Sequence, residues 1–174
     1  VAGGLPGAHA LEALAQSVGE RLRARGARLV TAESCTGGGV AWTLTGIPGA
    51  SAWFDGGIVA YDNRAKTRLL GVPPDLIAAH GAVSEPVARA MAQGALTGVS
   101  GVAVSLSITG IAGPDGGTAA KPVGTVCLAW CLHLDGAERV EVVTRHFPGG
   151  REAVRRGAIA EALRGLVGLL DVAV

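Results

Sequence analysis

Ser34 and Lys66 are the side chains whose sequence surroundings could support nucleophilic chemistry. Ser34 lies in TAESCTGGG, residues 31–39, where a strand hands over to a helix through three consecutive glycines. Main-chain amides at such a junction are unsatisfied and the helix dipole adds partial positive charge, so an anion or a developing oxyanion is stabilised there. A glycine in a helix costs about 1 kcal/mol relative to alanine, so a run of them implies close approach to the backbone. The plainer alternative makes Ser34 an N-cap. A serine hydroxyl is a weak nucleophile and must pass its proton to a base. Lys66 offers one: with Asn63 as the cap of a short helix, Lys66 falls at the third helical position. There the dipole and partial burial disfavour its ammonium. The alternative is a solvent-facing lysine between Arg64 and Arg68. Tyr61 ends the preceding strand.

The elements that must position these groups follow from periodicity. Leu11, Leu14, Ala15, Val18 and Leu22 recur at helical steps over residues 11–25, and a strand over residues 28–32 follows. After the glycine-rich helix come a strand over residues 53–61, the short helix with Lys66, and a helical turn over residues 74–80. Ser84-Glu85-Pro86 opens a further helix with serine as its cap. Residues 102–109 form an apolar, β-branched strand suited to cover on both faces, and a second glycine-rich loop, residues 110–117, follows it. Strands over residues 123–130 and 140–145 pair as a hairpin across Asp135-Gly136. A helix over residues 151–170 closes the chain. This alternation implies a three-layer α/β/α sandwich on a mostly parallel, mixed sheet of five strands. Ligands in open α/β sheets bind beyond the carboxyl ends of strands, which places both glycine-rich loops at one pocket.

Composition narrows the classes. The 174 residues fit one domain over residues 11–172, preceded by a flexible lead-in over residues 1–10. A formal charge of +1 without a long basic run gives no footprint for nucleic acid. Arg151, Arg155 and Arg156 read as a solvated helix face. No apolar run reaches the roughly 18 residues of a membrane span. Cys35, Cys127 and Cys131 lack metal-binding spacing, as do His9, His80, His133 and His146, so neither a metal nor a cofactor is expected. With no secretory segment apparent, a reducing cytoplasm is expected. Cys35 is either a reactive thiol or a small buried residue. Apolar Trp53-Phe54 and residues 166–170 serve either the core or contacts between subunits of a homo-oligomer.

Five blocks together are diagnostic: TAESCTGGG; GASAWFDGGIVAYDNRAK, residues 49–66; HGAVSEPVARAMAQGAL, residues 80–96; ITGIAGPDGGTAAKPVGTV, residues 108–126; and FPGGREAVRRGAIAEAL, residues 147–163. In this order they resemble the CinA carboxy-terminal domain family, known as nicotinamide-nucleotide amidohydrolases, over about residues 11–170. The resemblance implies metal-independent hydrolysis of the nicotinamide mononucleotide carboxamide, with Ser34 as nucleophile and Tyr61 and Lys66 activating it. Amides near Cys35 and Thr36, or the Thr109-Gly110 loop, would hold the oxyanion. Residues Thr36, Gly37 and Gly38, the loop with Gly113, Gly116 and Gly117, and Arg145 are the candidates for the phosphate. Many members carry a further amino-terminal domain linked to ADP-ribose pyrophosphatase activity, for which these residues leave no room, so that activity is expected to be absent. Gly150 stands where the resemblance leads one to expect an aspartate. Asp62 replaces a frequent serine, which changes the charge near the base. The rival reading from another class is a non-catalytic nucleotide-binding or regulatory module, since glycine loops serve binding equally well.

Overall fold

A computed structural model describes residues 6–101, 103–134 and 136–172. Helix α1, Ala8–Arg25, buries the stripe Leu11, Ala15, Val18 and Leu22 and ends on Gly26 in the left-handed conformation, φ 60°. Strand β1, Arg28–Glu33, then runs into the core. Helix α2, Gly39–Thr45, has only seven residues, and a 3₁₀ turn at Ala50–Ala52 leads to the edge strand β2, Phe54–Val59. Helices α3, Asn63–Leu70, α4, Pro74–His80, and α5, Glu85–Ala95, precede strand β3, Ala103–Gly110. Strands β4, Thr125–Leu134, and β5, Ala137–His146, form the hairpin, and helix α6, Arg151–Val172, closes the domain.

The sheet order is β2-β1-β3-β4-β5. β1 pairs in parallel with β2 and β3, whereas β3–β4 and β4–β5 are antiparallel, so β4 alone runs against the other four. Side chains alternate between two cores. Leu29, Leu106, Leu128 and Trp130 face α1, α2 and α6, while Val30, Ala32, Cys127 and Ala129 face α3 and α5. Cover on both faces is the reason β3 and most of β4 are buried.

On its α5 face, β3 carries hydroxyls rather than hydrocarbon. Ser105 and Ser107 donate to the Ala92 and Ala88 carbonyls at 2.6 Å each, and Thr109 donates to the Ala82 carbonyl at 2.8 Å. The buried polar groups are thereby satisfied and the strand is tied to α5 and the loop before it.

Several boundaries differ from the sequence-based expectation. α1 starts at Ala8, inside the expected lead-in, of which residues 1–5 lie outside the described residues, as do Val102 and Asp135. The hairpin strands extend several residues further toward their turn, because cross-strand pairing continues to Leu134↔Ala137. Ser84 occupies the N-cap position of α5 but donates its hydroxyl to the Gly81 carbonyl at 2.8 Å instead of capping an amide. Trp53, Leu166 and Leu170 are fully buried, so the two segments offered as subunit contacts pack largely in the core.

Gly94 marks the tightest helix contact. A Cβ there would run into the Leu70 carbonyl at the end of α3, whereas one at Gly168 on α6 meets nothing within 4 Å. Gly94→Ala is therefore expected to destabilise the fold by about 2–3 kcal/mol through overpacking. Gly168→Ala should stabilise it by up to about 1 kcal/mol. Paired urea melts measure both.

Candidate active site

The turn carrying Ser34 is built around an anion that the chain itself supplies. Glu33, 1 % exposed, ends β1, and its carboxylate accepts from the Val40 amide at 3.0 Å and the Ala41 amide at 2.9 Å. Thr31 Oγ1 donates to the same carboxylate at 3.4 Å. The N-terminus of α2 is thus already occupied, and Ser34 is not its cap. Residues 34–38 form the turn between strand and helix, fastened where the Ser34 amide donates to the Ile108 carbonyl at 2.9 Å. Gly37 and Gly38 adopt φ of 60° and 91°, the left-handed region that the turn requires. At Gly39 a Cβ would fall 2.6 Å from Ile159 Cδ1 on α6. The glycine run therefore answers to turn geometry and helix packing.

Lys66 arrives from the opposite helical layer. Asp62, rather than Asn63, caps α3 by accepting from the Arg64 amide at 2.9 Å, which moves Lys66 to the fourth helical position. Its side chain is 1 % exposed. Nζ donates to Ser34 Oγ at 3.1 Å and to the Tyr61 carbonyl at 3.1 Å, while Ser34 Oγ lies 3.5 Å from the same carbonyl. Burial holds the Lys66 ammonium below the ordinary lysine value, with Asp62 and Cys35 acting weakly in the opposite direction. Of the dipole and the partial burial that sequence reasoning named together, burial is the leading cause.

Tyr61 reaches this pair through its main chain. Its phenol, on an exposed side chain, accepts from Arg151 Nη2 at 2.9 Å, and Arg151 Nη1 donates to the Gly113 carbonyl at 2.7 Å. Arg155, one helical turn on, donates to the Thr36 carbonyl at 2.9 Å. Arg151 is exposed and Arg156 pairs with Glu152 at 3.3 Å, in keeping with the solvated face expected of α6, but Arg151 and Arg155 also bond to groups around the site. Their spacing of four residues on one helix face was the available signal.

A cavity of about 220 Å³ opens onto these groups. Ser34, Cys35, Lys66, Thr109, Gly110 and Arg151 line it, with Ala82, Val83 and Ala112 as apolar wall. Burial pushes the Cys35 thiol up to about 11, which keeps it protonated and makes it a poor nucleophile. Thr36 is fully buried and its hydroxyl oxygen has no partner among the described residues. Gly37 and Gly38 line the turn outside the cavity. Gly113 holds Arg151 through its carbonyl, while Gly116 and Gly117 are exposed and away from the cavity. Arg145, expected as a phosphate candidate, pairs with Glu161 at 2.9 Å on the α6 side of the sheet and does not reach the cavity. A larger hollow of about 320 Å³ between α3 and α4 shares Asn63 with the site but contains neither Ser34 nor Lys66.

These features define a three-layer α/β/α protein with a serine–lysine pocket at the carboxyl ends of parallel strands. Residues 11–170 match the CinA C-terminal domain, and the chain belongs to that family. It is 53 % identical to the nicotinamide-nucleotide amidohydrolase PncC of Pseudomonas putida over 156 residues, 90 % of this chain and 94 % of the relative. The PncC of Escherichia coli K12 is 52 % identical over 155 residues, 88 % of this chain and 90 % of the relative. A CinA-like protein of Anaeromyxobacter sp. strain K is 57 % identical over 86 % of this chain, which spans 36 % of that relative's length. Among solved structures, the competence damage-inducible protein A of Klebsiella pneumoniae superposes with a TM-score of 0.87 at 35 % identity, covering 94 % of this chain and 99 % of the other. Among the described residues no helix is long and apolar enough to cross a membrane.

Glu33→Ala leaves the Val40 and Ala41 amides buried without their acceptor. The expected cost is about 1–3 kcal/mol, read as a lowered midpoint in thermal unfolding.

Proposed function

We propose that this chain hydrolyses the carboxamide of nicotinamide mononucleotide to nicotinic acid mononucleotide and ammonia, with Ser34 as nucleophile and Lys66 as its base. The observation that carries this reading is a buried amine 3.1 Å from a serine oxygen, both lining one cavity. The substrate rests on the names of the P. putida and E. coli relatives, each matched over nine-tenths or more of its length.

The neutral Lys66 amine takes the Ser34 proton as Oγ bonds to the amide carbon, and the carbonyl becomes an oxyanion. The Tyr61 carbonyl holds one amine N–H, which leaves the nitrogen lone pair for Ser34. The proton passes directly between the two, without the phenol. The Cys35 and Thr36 amides have no main-chain acceptor among the described residues, and we assign them to the oxyanion. One such donor is worth about 3 kcal/mol in well-studied hydrolases. Lys66 then protonates the departing nitrogen, the C–N bond breaks, and ammonia leaves an acyl-serine. A water gives its proton to Lys66 and attacks the ester, whose C–O bond breaks as Ser34 recovers its proton. One water is consumed, and base, acid and nucleophile all come from side chains, so the cycle needs no metal.

The pyridine ring suits the wall of Ala82, Val83 and Ala112. Arg151 is the cation that reaches the cavity, and its planar fork suits a phosphate, which would replace the Gly113 carbonyl and Tyr61 phenol as its partners.

Ammonia release from the mononucleotide is expected to vanish in Ser34→Ala and to fall about 10²–10⁴-fold in Lys66→Met. Because only the unprotonated amine is competent, wild-type kcat/KM should rise with pH and level off below the ordinary lysine value of 10.5. Full activity in Ser34→Ala, or a rate independent of pH across that range, overturns the assignment. Arg151→Ala should raise KM for the mononucleotide about 10- to 100-fold while barely altering KM for the riboside, which lacks the phosphate. Steady-state ammonia assays on both substrates make the comparison.

A further inference from the structure

Far from the serine–lysine pocket, the β4–β5 hairpin brings together three side chains of different ligand chemistry. Cys131 and His133 alternate onto the same face of β4, and Glu138 stands directly across from His133 on β5. The Cys131 thiol sulfur, a His133 ring nitrogen and a Glu138 carboxylate oxygen all lie within 4.8 Å of one another. His133 Nε2 is 2.9 Å from Glu138 Oε2, and the other carboxylate oxygen accepts from Gln93 Nε2 on α5 at 2.8 Å. This is the end of the sheet remote from the pocket. His133 is seven residues along β4 from Val126, which pairs with Gly110, a span of roughly 23 Å in a strand.

We propose that Cys131, His133 and Glu138 form a binding site for a zinc-class divalent cation that clips β4 to β5. A sulfur, nitrogen and oxygen set suits a borderline-soft ion, since magnesium and calcium take oxygen ligands and do not use thiolate. A tetrahedral zinc ion holds its ligand atoms about 3.2–3.7 Å apart, so small side-chain rotations suffice: the 2.9 Å His133–Glu138 contact opens to admit the ion while the sulfur stays within 4.8 Å of both. The backbone on which they close is rigid, because β4 is paired along both edges. Gln93 orients the carboxylate from outside the ligand set, as supporting partners do at metal sites. Water completes the fourth position, and the thiol proton is released to solvent when the sulfur binds. Cysteine spacing in the sequence gave no sign of this. The signal is a Cys-x-His pair on a strand with a glutamate across a short turn.

The test uses the whole chain, stripped of metal by chelation and titrated with Co²⁺ and then Zn²⁺. One equivalent of Co²⁺ should produce a thiolate-to-cobalt charge-transfer band that Zn²⁺ abolishes, and Zn²⁺ should raise the thermal midpoint. His133→Ala and Glu138→Gln, both at partly exposed positions, should remain folded by circular dichroism and lose the band or bind far more weakly. Gln93→Ala should weaken binding about tenfold. Ammonia release by the His133 variant should match wild type, since no residue of the pocket is touched. Absence of the band, or a band undiminished in both His133→Ala and Glu138→Gln, overturns the proposal.

Discussion

An amine buried against a neutral hydroxyl and a carbonyl is the constraint around which this molecule is organised. Among the described residues no carboxylate is in hydrogen-bonding contact with the Lys66 nitrogen; Asp62, the nearby acid, caps α3 and pairs with Arg64. Keeping an ammonium in such a place costs on the order of several kcal/mol, and deprotonation removes that cost. The fold therefore shifts Lys66 toward the uncharged amine, relative to an exposed lysine, by exclusion of water. That exclusion comes from the packing of α3 on α5, which seals Leu70 and Val72 beside Met91 and Ala92 in one core.

Ser34 depends on a second buried ionisable side chain, this one fully engaged in hydrogen bonds. Glu33 stays close to two amides at the head of α2, and in doing so fixes the turn that presents the serine. The turn into α2 thus carries Ser34 and α3 in the other layer carries Lys66, with the ends of β1, β2 and β3 setting the distance between them. Neither layer alone assembles the pair. Arg151 and Arg155 reinforce the arrangement from α6 by gripping Gly113, Tyr61 and Thr36.

Much of this was legible in the residues. Periodicity located the helices and strands, the two glycine loops pointed to the end of the sheet where the cavity opens, and the family blocks identified the relatives. Failures occurred where a tertiary partner decided the outcome. The helix-terminal anion site was read correctly as a site for negative charge, but its occupant is Glu33, two residues from Thr31 and inside the motif itself. Asp62 displaced Asn63 as the cap of α3 because its side chain reaches the Arg64 amide. Arg145 lies away from the cavity and Arg151 lines it because strand pairing directs one toward Glu161 while the helix start carries the other over the pocket. No local pattern encodes those meetings across the fold.

The hydroxyl ladder of β3 has a consequence for how the pocket meets a visitor. Thr109 is bonded to the loop at Ala82, so that side of the recess moves as one body with the central strand. The facing rim is made of a long guanidinium and an exposed phenol that lean on each other. A stiff jaw thus opposes a pliant one. Whatever enters is held to shape by the jaw that does not yield and given latitude by the one that does.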